Sequence, residues 1–141
     1  MTDQIYPCLW FDGNAKAAAE FYCSVFKNST ITADTPLVVT FEINGTKFMG
    51  LNGGPHFKFN EAVSFVVNCD TQEEIDHYWE KLTAEGGNES MCGWLKDKFG
   101  VSWQIVPTVI GKLMTDPERA KRVMPVLMGM KKIIIQQLEE A

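Results

Sequence analysis

Apolar residues recur along this chain in two rhythms, and the switches between them mark out its elements. Ile5 to Phe11 is almost continuously apolar, with aromatics at Tyr6, Trp10 and Phe11, and predicts a strand buried on both faces. Asp12-Gly13-Asn14 interrupts the run, and Asp12 or Asn14 can cap a helix. From Ala15 to Phe26, the residues Ala18, Phe21, Tyr22, Val25 and Phe26 fall on one helical stripe. Asn28-Ser29 ends that helix, and Thr30 to Ala33 is a short strand candidate. Leu37–Ile43 and Thr46–Asn52 then flank Asn44-Gly45, a two-residue hairpin signal.

Gly53 to Asn60 reads GGPHFKFN, which its glycines and proline keep out of regular structure. The loop nonetheless carries His56, Phe57 and Phe59. It either borders a site or tucks two phenylalanines under a sheet edge, and both readings stay open. Ala62–Cys69 returns to strand character. Asp70-Thr71, followed by Glu73 and Glu74, offers a capping box in either of two registers. The helix runs to about Ala84 on the stripe Ile75, Tyr78, Trp79 and Leu82, and Gly86-Gly87 ends it. Met91–Lys96 and Val101–Val106 predict a second hairpin around Asp97–Gly100. Past Pro107 comes a loose segment, then a helix opened by Asp116-Pro117 and running from Glu118 to Met130, which Pro125 should kink or break. Lys131–Ala141 predicts a short helix or a tail docked by Ile133, Ile135 and Leu138.

The order of elements repeats. Phe21-Tyr22 on the first helix is matched by Tyr78-Trp79 on the second, 57 residues later, and the hairpin at Asn44-Gly45 by that at Phe99-Gly100, 55 residues later. Two βαβββ copies, one strand of the second being weak in sequence, account for this spacing. The fold class is therefore α+β, with one module over 1–60, a second over 61–107, and a C-terminal helical extension over 108–141.

Composition narrows the partners. The 141 residues are 45% apolar and 22% charged, as expected of a globular chain that buries roughly two-thirds of its unfolded surface. A net charge of −5 and a pI near 5.0 argue against nucleic acid or an anionic membrane as partner. No apolar run approaches the ~20 residues of a membrane span, and MTDQIYPC is not a secretory leader. Four dispersed cysteines without a CxxC suit reduced thiols and a cytoplasmic location; Cys92, beside a turn, is the one candidate reactive thiol.

The segments FYCSVF (21–26), KFMGLNGGPHFKFN (47–60), FVVNCDTQEEIDHYWEKL (65–82) and CGWLKDKFGVSWQIVP (92–107) resemble the vicinal oxygen chelate superfamily of glyoxalase I, extradiol dioxygenases and bleomycin-resistance proteins. Within it they are similar to the PhnB-like branch, labelled 3-demethylubiquinone-9 3-methyltransferase-like. The resemblance implies two modules forming a cup-shaped mixed sheet in a homodimer. In metal-using members it implies His, Gln and Glu ligands for one divalent ion, which fall here near Pro7, Met49, Ser64 and Gln104. Only Gln104 suits that role, so no metal and no other cofactor is expected. The family label implies methyl transfer, although no glycine-rich nucleotide loop follows a strand.

What the residues support is a pocket for a small, partly apolar molecule. Alternation puts Ser102, Gln104 and Val106 on one face of their strand and Trp103 and Ile105 on the other. With Gln104 facing into the cup, Met49 is its partner in the first module, and Pro7, Leu9, Ser64 and Val66 lie on neighbouring strands. The candidate ligand contacts are Gln104, Asn52, His56, Trp94, Phe57 and Ser64. Trp103 is assigned to packing and His77 to the surface. Two alternatives remain: a metalloenzyme, a lyase or dioxygenase type, using His56 with Gln104 and Asn52, and a binding module whose cup is filled by its own side chains.

Overall fold

The switch from strand period to helix period is realised twice in the computed structural model, which describes residues 4–141. The first compact unit, ending at Phe59, holds β1 (Cys8–Phe11), α1 (Ala15–Val25), β2 (Thr30–Asp34), β3 (Val38–Ile43) and β4 (Thr46–Asn52). The second, from Asn60, holds β5 (Ser64–Cys69), α2 (Gln72–Thr83), β6 (Asn88–Glu89), β7 (Trp94–Lys96) and β8 (Ser102–Pro107), followed by α3 (Val109–Thr115), α4 (Pro117–Met128) and α5 (Ile135–Glu139). Each unit carries a four-stranded mixed sheet of one topology, β1-β4-β3-β2 and β5-β8-β7-β6. In both, the first strand runs parallel to the last and the other pairs are antiparallel. The fold is α+β, built from two βαβββ repeats.

In the first unit α1 covers one sheet face. Tyr22 stacks over Phe41 at 6.1 Å between ring centroids, and Phe41 over Phe48 at 5.6 Å, with Leu9, Phe11, Val39 and Ile43 also buried. β1 is shorter than the predicted Ile5–Phe11 and is not buried on both faces. It is an edge strand, with Leu9 and Phe11 in the core, Cys8 exposed and Trp10 half-buried. Neither Asp12 nor Asn14 caps α1 through its side chain. Asn52, at the end of β4, takes that role: its Oδ1 accepts from the Ala15 N–H at 2.9 Å and its Nδ2 donates to the Pro36 carbonyl at 3.0 Å.

The second unit repeats the arrangement with α2 over its sheet, burying Ile75, Trp79 and Leu82. The capping box takes the Thr71–Glu74 register, Thr71 Oγ1 accepting from the Glu74 N–H at 3.2 Å. The weak strand is β6, only two residues long. It is fastened to α2 by Trp79 Nε1 donating to Glu89 Oε1 at 2.6 Å, an anchor that periodicity cannot show. β7 starts at Trp94 rather than Met91, because Cys92 and Gly93 both take positive φ, at 59° and 84°. Gly93 is also sterically required: a Cβ there would lie 2.8 Å from the Ile105 carbonyl oxygen and 2.7 Å from Ile133 Cδ1.

The C-terminal elements pack within this unit. The segment after Pro107, predicted to be loose, is helix α3. Its stripe of Val109, Ile110, Leu113 and Met114 joins the cluster formed by Val123, Leu127, Met130, Ile133 and Leu138, and Gly111 had obscured the period. Pro125 does not break α4, which continues to Met128; the proline sits near the C-terminal end and its side chain is exposed. The return of the chain is fixed by backbone bonds from Cys92 N–H to the Met130 carbonyl (2.7 Å) and from Gly93 N–H to the Lys131 carbonyl (2.9 Å). Gln72 clamps it from the other side, donating to the Ile133 carbonyl at 3.0 Å and accepting from the Ile135 N–H at 2.9 Å.

The turn between β7 and β8 closes on a buried carboxylate. Asp97 Oδ1 accepts from the Phe99 and Val101 N–H groups at 2.9 and 3.1 Å, and Oδ2 accepts from Trp103 Nε1 at 2.9 Å. Asp97→Asn would turn an amide N–H toward the indole N–H. We expect a loss of about 2–3 kcal/mol in urea unfolding, hydrogen bonds to a charged group being worth about 1.5–3 kcal/mol each. A change under 0.5 kcal/mol would refute that role. Asn52→Ala removes the cap of α1 and should cost about 1–2 kcal/mol in the same measurement; an unchanged unfolding midpoint would show that the cap contributes nothing.

Candidate functional site

Strand register assembles the candidate residues. Trp94 stands opposite Gln104 across β7 and β8, and Val66 lies beside Gln104 across the parallel β5–β8 pair. All three project from the sheet face opposite α2. Gln104 Nε2 donates to Ser64 Oγ at 2.9 Å, one rung away along β5. Gln104, Ser64 and Trp94 are half-buried and Val66 is 55% exposed. Trp103 points the other way, into the core, 3% exposed and packed on Phe65 at 5.5 Å.

On the same face lies a cavity of about 280 Å³, lined among others by Trp94, Lys96, Ser102 and Asn88. Lys96 is ion-paired with Glu61 at its mouth, and this contact draws the Glu61 carboxyl below its usual range. The Ser102 hydroxyl is buried and has no hydrogen-bond partner among the described residues. Sequence reading overlooked Lys96, Asn88 and Glu61. Counting outward from the Asp97/Val101 closing pair would have set Lys96 opposite Ser102, whereas β6 left no readable signal.

The remaining candidates belong to the first unit. Asn52 has both ends of its amide committed to Ala15 and Pro36, which makes it a structural residue. The 53–59 loop wraps its own sheet. Trp10 Nε1 donates to the Gly54 carbonyl at 2.9 Å, Phe57 meets Trp10 edge-on at 4.9 Å, and Phe59 meets Phe11 at 5.4 Å. Gly53 lies so close to the Trp10 ring that a Cβ would approach it to 2.3 Å. Phe59 is thus the tucked phenylalanine, while Phe57 stays 66% exposed and His56 is exposed. His77 is exposed too, its ring against Tyr78 at 5.1 Å. Leu9 turns toward α1 and is buried.

The sequence model of a family described as 3-demethylubiquinone-9 3-methyltransferase matches residues 3–106. The chain belongs to this family. Among solved structures, a PhnB protein from Bacillus cereus is 34% identical, spans 75% of this chain and 100% of its own, and superposes with a TM-score of 0.68. A Pseudomonas aeruginosa protein is 22% identical over 75% of this chain and 98% of its own, with a TM-score of 0.63. A fosfomycin resistance protein from Listeria monocytogenes, complexed with Mn(II) and sulfate, is 16% identical over 86% and 98%, with a TM-score of 0.58. The last two share the fold. No curated protein matches. The chain is a PhnB-like member of the vicinal oxygen chelate superfamily, and α3 to α5 lie beyond the family match.

The donor set does not fit the superfamily's divalent metal. Met49 and Gln104 occupy equivalent places on β4 and β8, and the residues paired with them are Cys8 and Val66. Pro7 contributes only its carbonyl, which accepts from the Met49 N–H at 3.0 Å. The Gln104 amide oxygen could serve a hard cation, but a thioether and a single hydroxyl beside it bring no anionic oxygen to complete the set. Among the described residues, no three His, Cys, Asp or Glu side chains come together as a metal-holding group. The set of His56, Gln104 and Asn52 loses Asn52 to its structural bonds.

The thiols differ sharply in environment. Burial, reinforced by Glu74 and Asp70, pushes Cys69 up to about 11. It is therefore a neutral thiol at physiological pH, and the stability this gives is complete below the ordinary value of 9.0 and lost as pH rises toward 11. At pH 8 in native protein, a thiol reagent should modify exposed Cys8 and leave Cys69 unmodified, as read by peptide mass spectrometry. Equal labelling of the two would contradict the assignment.

Proposed function

We propose that this chain binds a small, partly apolar molecule against the open face of its second sheet, without a divalent metal. The observation that carries this reading is the Gln104–Ser64 hydrogen bond, held half-buried beside Trp94 and next to a cavity of about 280 Å³. The Gln104 amide uses its Nε2 on Ser64, and no hydrogen bond to its Oε1 is found among the described residues, so that oxygen can accept from a ligand. Trp94 and Val66 add apolar area, and a few directed polar groups on an apolar wall are the usual make-up of a small-molecule site. A cavity in this face speaks against a module filled by its own side chains.

The family name favours a second reading, methyl transfer. The strand-to-helix connections here, Asp12–Asn14 and Asp70–Thr71, are too short to be nucleotide-cradling loops, so binding is preferred. We also infer a cytoplasmic homodimer, on the family resemblance and on the free thiols among the described residues. Ile133 and Leu138 of the C-terminal segment are buried in the chain's own core and add no surface to that dimer. No helix among the described residues is long and apolar enough to cross a membrane.

A thermal-shift screen of metabolites tests the binding reading. Compounds that stabilise the wild type should bind Gln104→Ala about tenfold more weakly, the loss expected for one directed hydrogen bond. The same hits with the same shifts in the variant would overturn the site.

A further inference from the structure

The registers of the second sheet line up two unlike rungs. One crosses all four strands as Asn88, Lys96, Ser102 and Ser64: Asn88 pairs with Lys96, Lys96 with Ser102, and Ser102 with Ser64. Every side chain in it can donate a hydrogen bond. The next rung is Trp94, Gln104 and Val66, largely apolar around one amide. The sheet thus offers a row of donors beside an apolar strip, on the face that holds the cavity.

The donor row is incomplete by itself. Ser102 Oγ is buried, its residue 1% exposed, and it lacks a partner among the described residues. A buried hydroxyl without a partner is unfavourable, and a ligand acceptor reaching it would remove that cost. Its cross-strand neighbour is a cation, Lys96, whose carboxylate partner Glu61 sits on an outer position with 64% of its side chain exposed. An ion pair so open to water is weakly held, so another carboxylate can take its place.

We propose, building on the binding reading above, that the ligand is a small monocarboxylate whose head displaces Glu61 from Lys96 and accepts from Ser102, while its apolar body lies on Trp94 and Val66. Lys96 is the one cation of the rung, and Glu61 and Glu89 also line the cavity, so a singly charged head meets less like-charge repulsion there than a doubly charged phosphate would. The two rungs are successive same-face positions, roughly 7 Å apart along the strands, so head and body fit within one small molecule.

Matched acid–amide pairs, from acetate and acetamide to 4-phenylbutyrate and 4-phenylbutyramide, test this by titration calorimetry on the full chain. The longer acids should bind at least about tenfold more tightly than their amides. Lys96→Met should abolish that preference, Ser102→Ala should weaken acid binding several-fold, and Glu61→Gln, which frees Lys96, should strengthen it. Circular dichroism melts of each variant show that the fold is kept; if Ser102→Ala unfolds, the two surface variants still decide. Amides that bind as well as acids, or a preference that survives Lys96→Met, would overturn the carboxylate assignment and leave the binding reading standing. Failure of every pair to bind at millimolar concentration would overturn the carboxylate assignment, and the metabolite screen then decides the binding reading by itself.

Discussion

The open face of the second sheet depends on a carboxylate that is not part of it. Asp97 gathers two turn N–H groups and the Trp103 indole, and in doing so sets which residues of β7 and β8 stand opposite one another. Strands alternate with period two, so a slip of one residue would turn Leu95 and Trp103 outward and send Trp94, Lys96 and Gln104 toward α2. Burying a charge is costly unless donors replace its water, and these donors are the local means of doing so. Gly93 and the backbone bonds to Met130 and Lys131 brace the start of the same hairpin, which ties the C-terminal helices to the position of Trp94.

The two units share a topology but use equivalent rungs differently. Where the second unit has Lys96 opposite Ser102, the first has Glu42 opposite Lys47, and Lys47 Nζ lies 4.1 Å from the centre of the Tyr6 ring. That rung meets its own needs through opposite charges across the strands and a cation over an aromatic face. The second unit's rung leaves Ser102 without a partner. At the next rung Met49 stands where the second unit has Gln104, a thioether in place of an amide. Polar capacity beyond what folding requires is therefore concentrated in the second copy.

Much of the architecture was legible because strand and helix periods are strong where one face is buried. The β3–β4 hairpin around Asn44-Gly45, the stripe of α2 and the repeat itself could all be read this way. Elements held by other means escaped. β6 is two exposed residues fastened by Glu89 to Trp79, and α3 is seven residues interrupted by Gly111. Asn52 looked like a ligand contact because a polar side chain at a strand end has no visible purpose in sequence. Its purpose is to cap a helix 37 residues earlier in the chain. Gln104 and Ser64 could be singled out one at a time, but the donor row could not, because it exists only once the registers of four strands are known together.

Those registers also bear on how poorly the residues of this face suit the superfamily's metal. A divalent cation needs several anionic or strongly dipolar oxygens, and the face around Gln104 supplies neutral groups: an amide, hydroxyls and an indole. It also sets a lysine, Lys96, in the adjoining rung, and that ammonium group is a further unfavourable neighbour for a cation at Gln104. The two carboxylates lining the cavity are both engaged, Glu61 with that lysine and Glu89 with the Trp79 indole. A monocarboxylate as proposed would instead meet an ammonium group and a buried hydroxyl in one rung and an amide in the next. With neutral groups around Gln104 and a lysine in the adjoining rung, this face offers hydrogen-bond donors where a metal centre would need anionic oxygens, on a sheet of the same topology as its partner repeat.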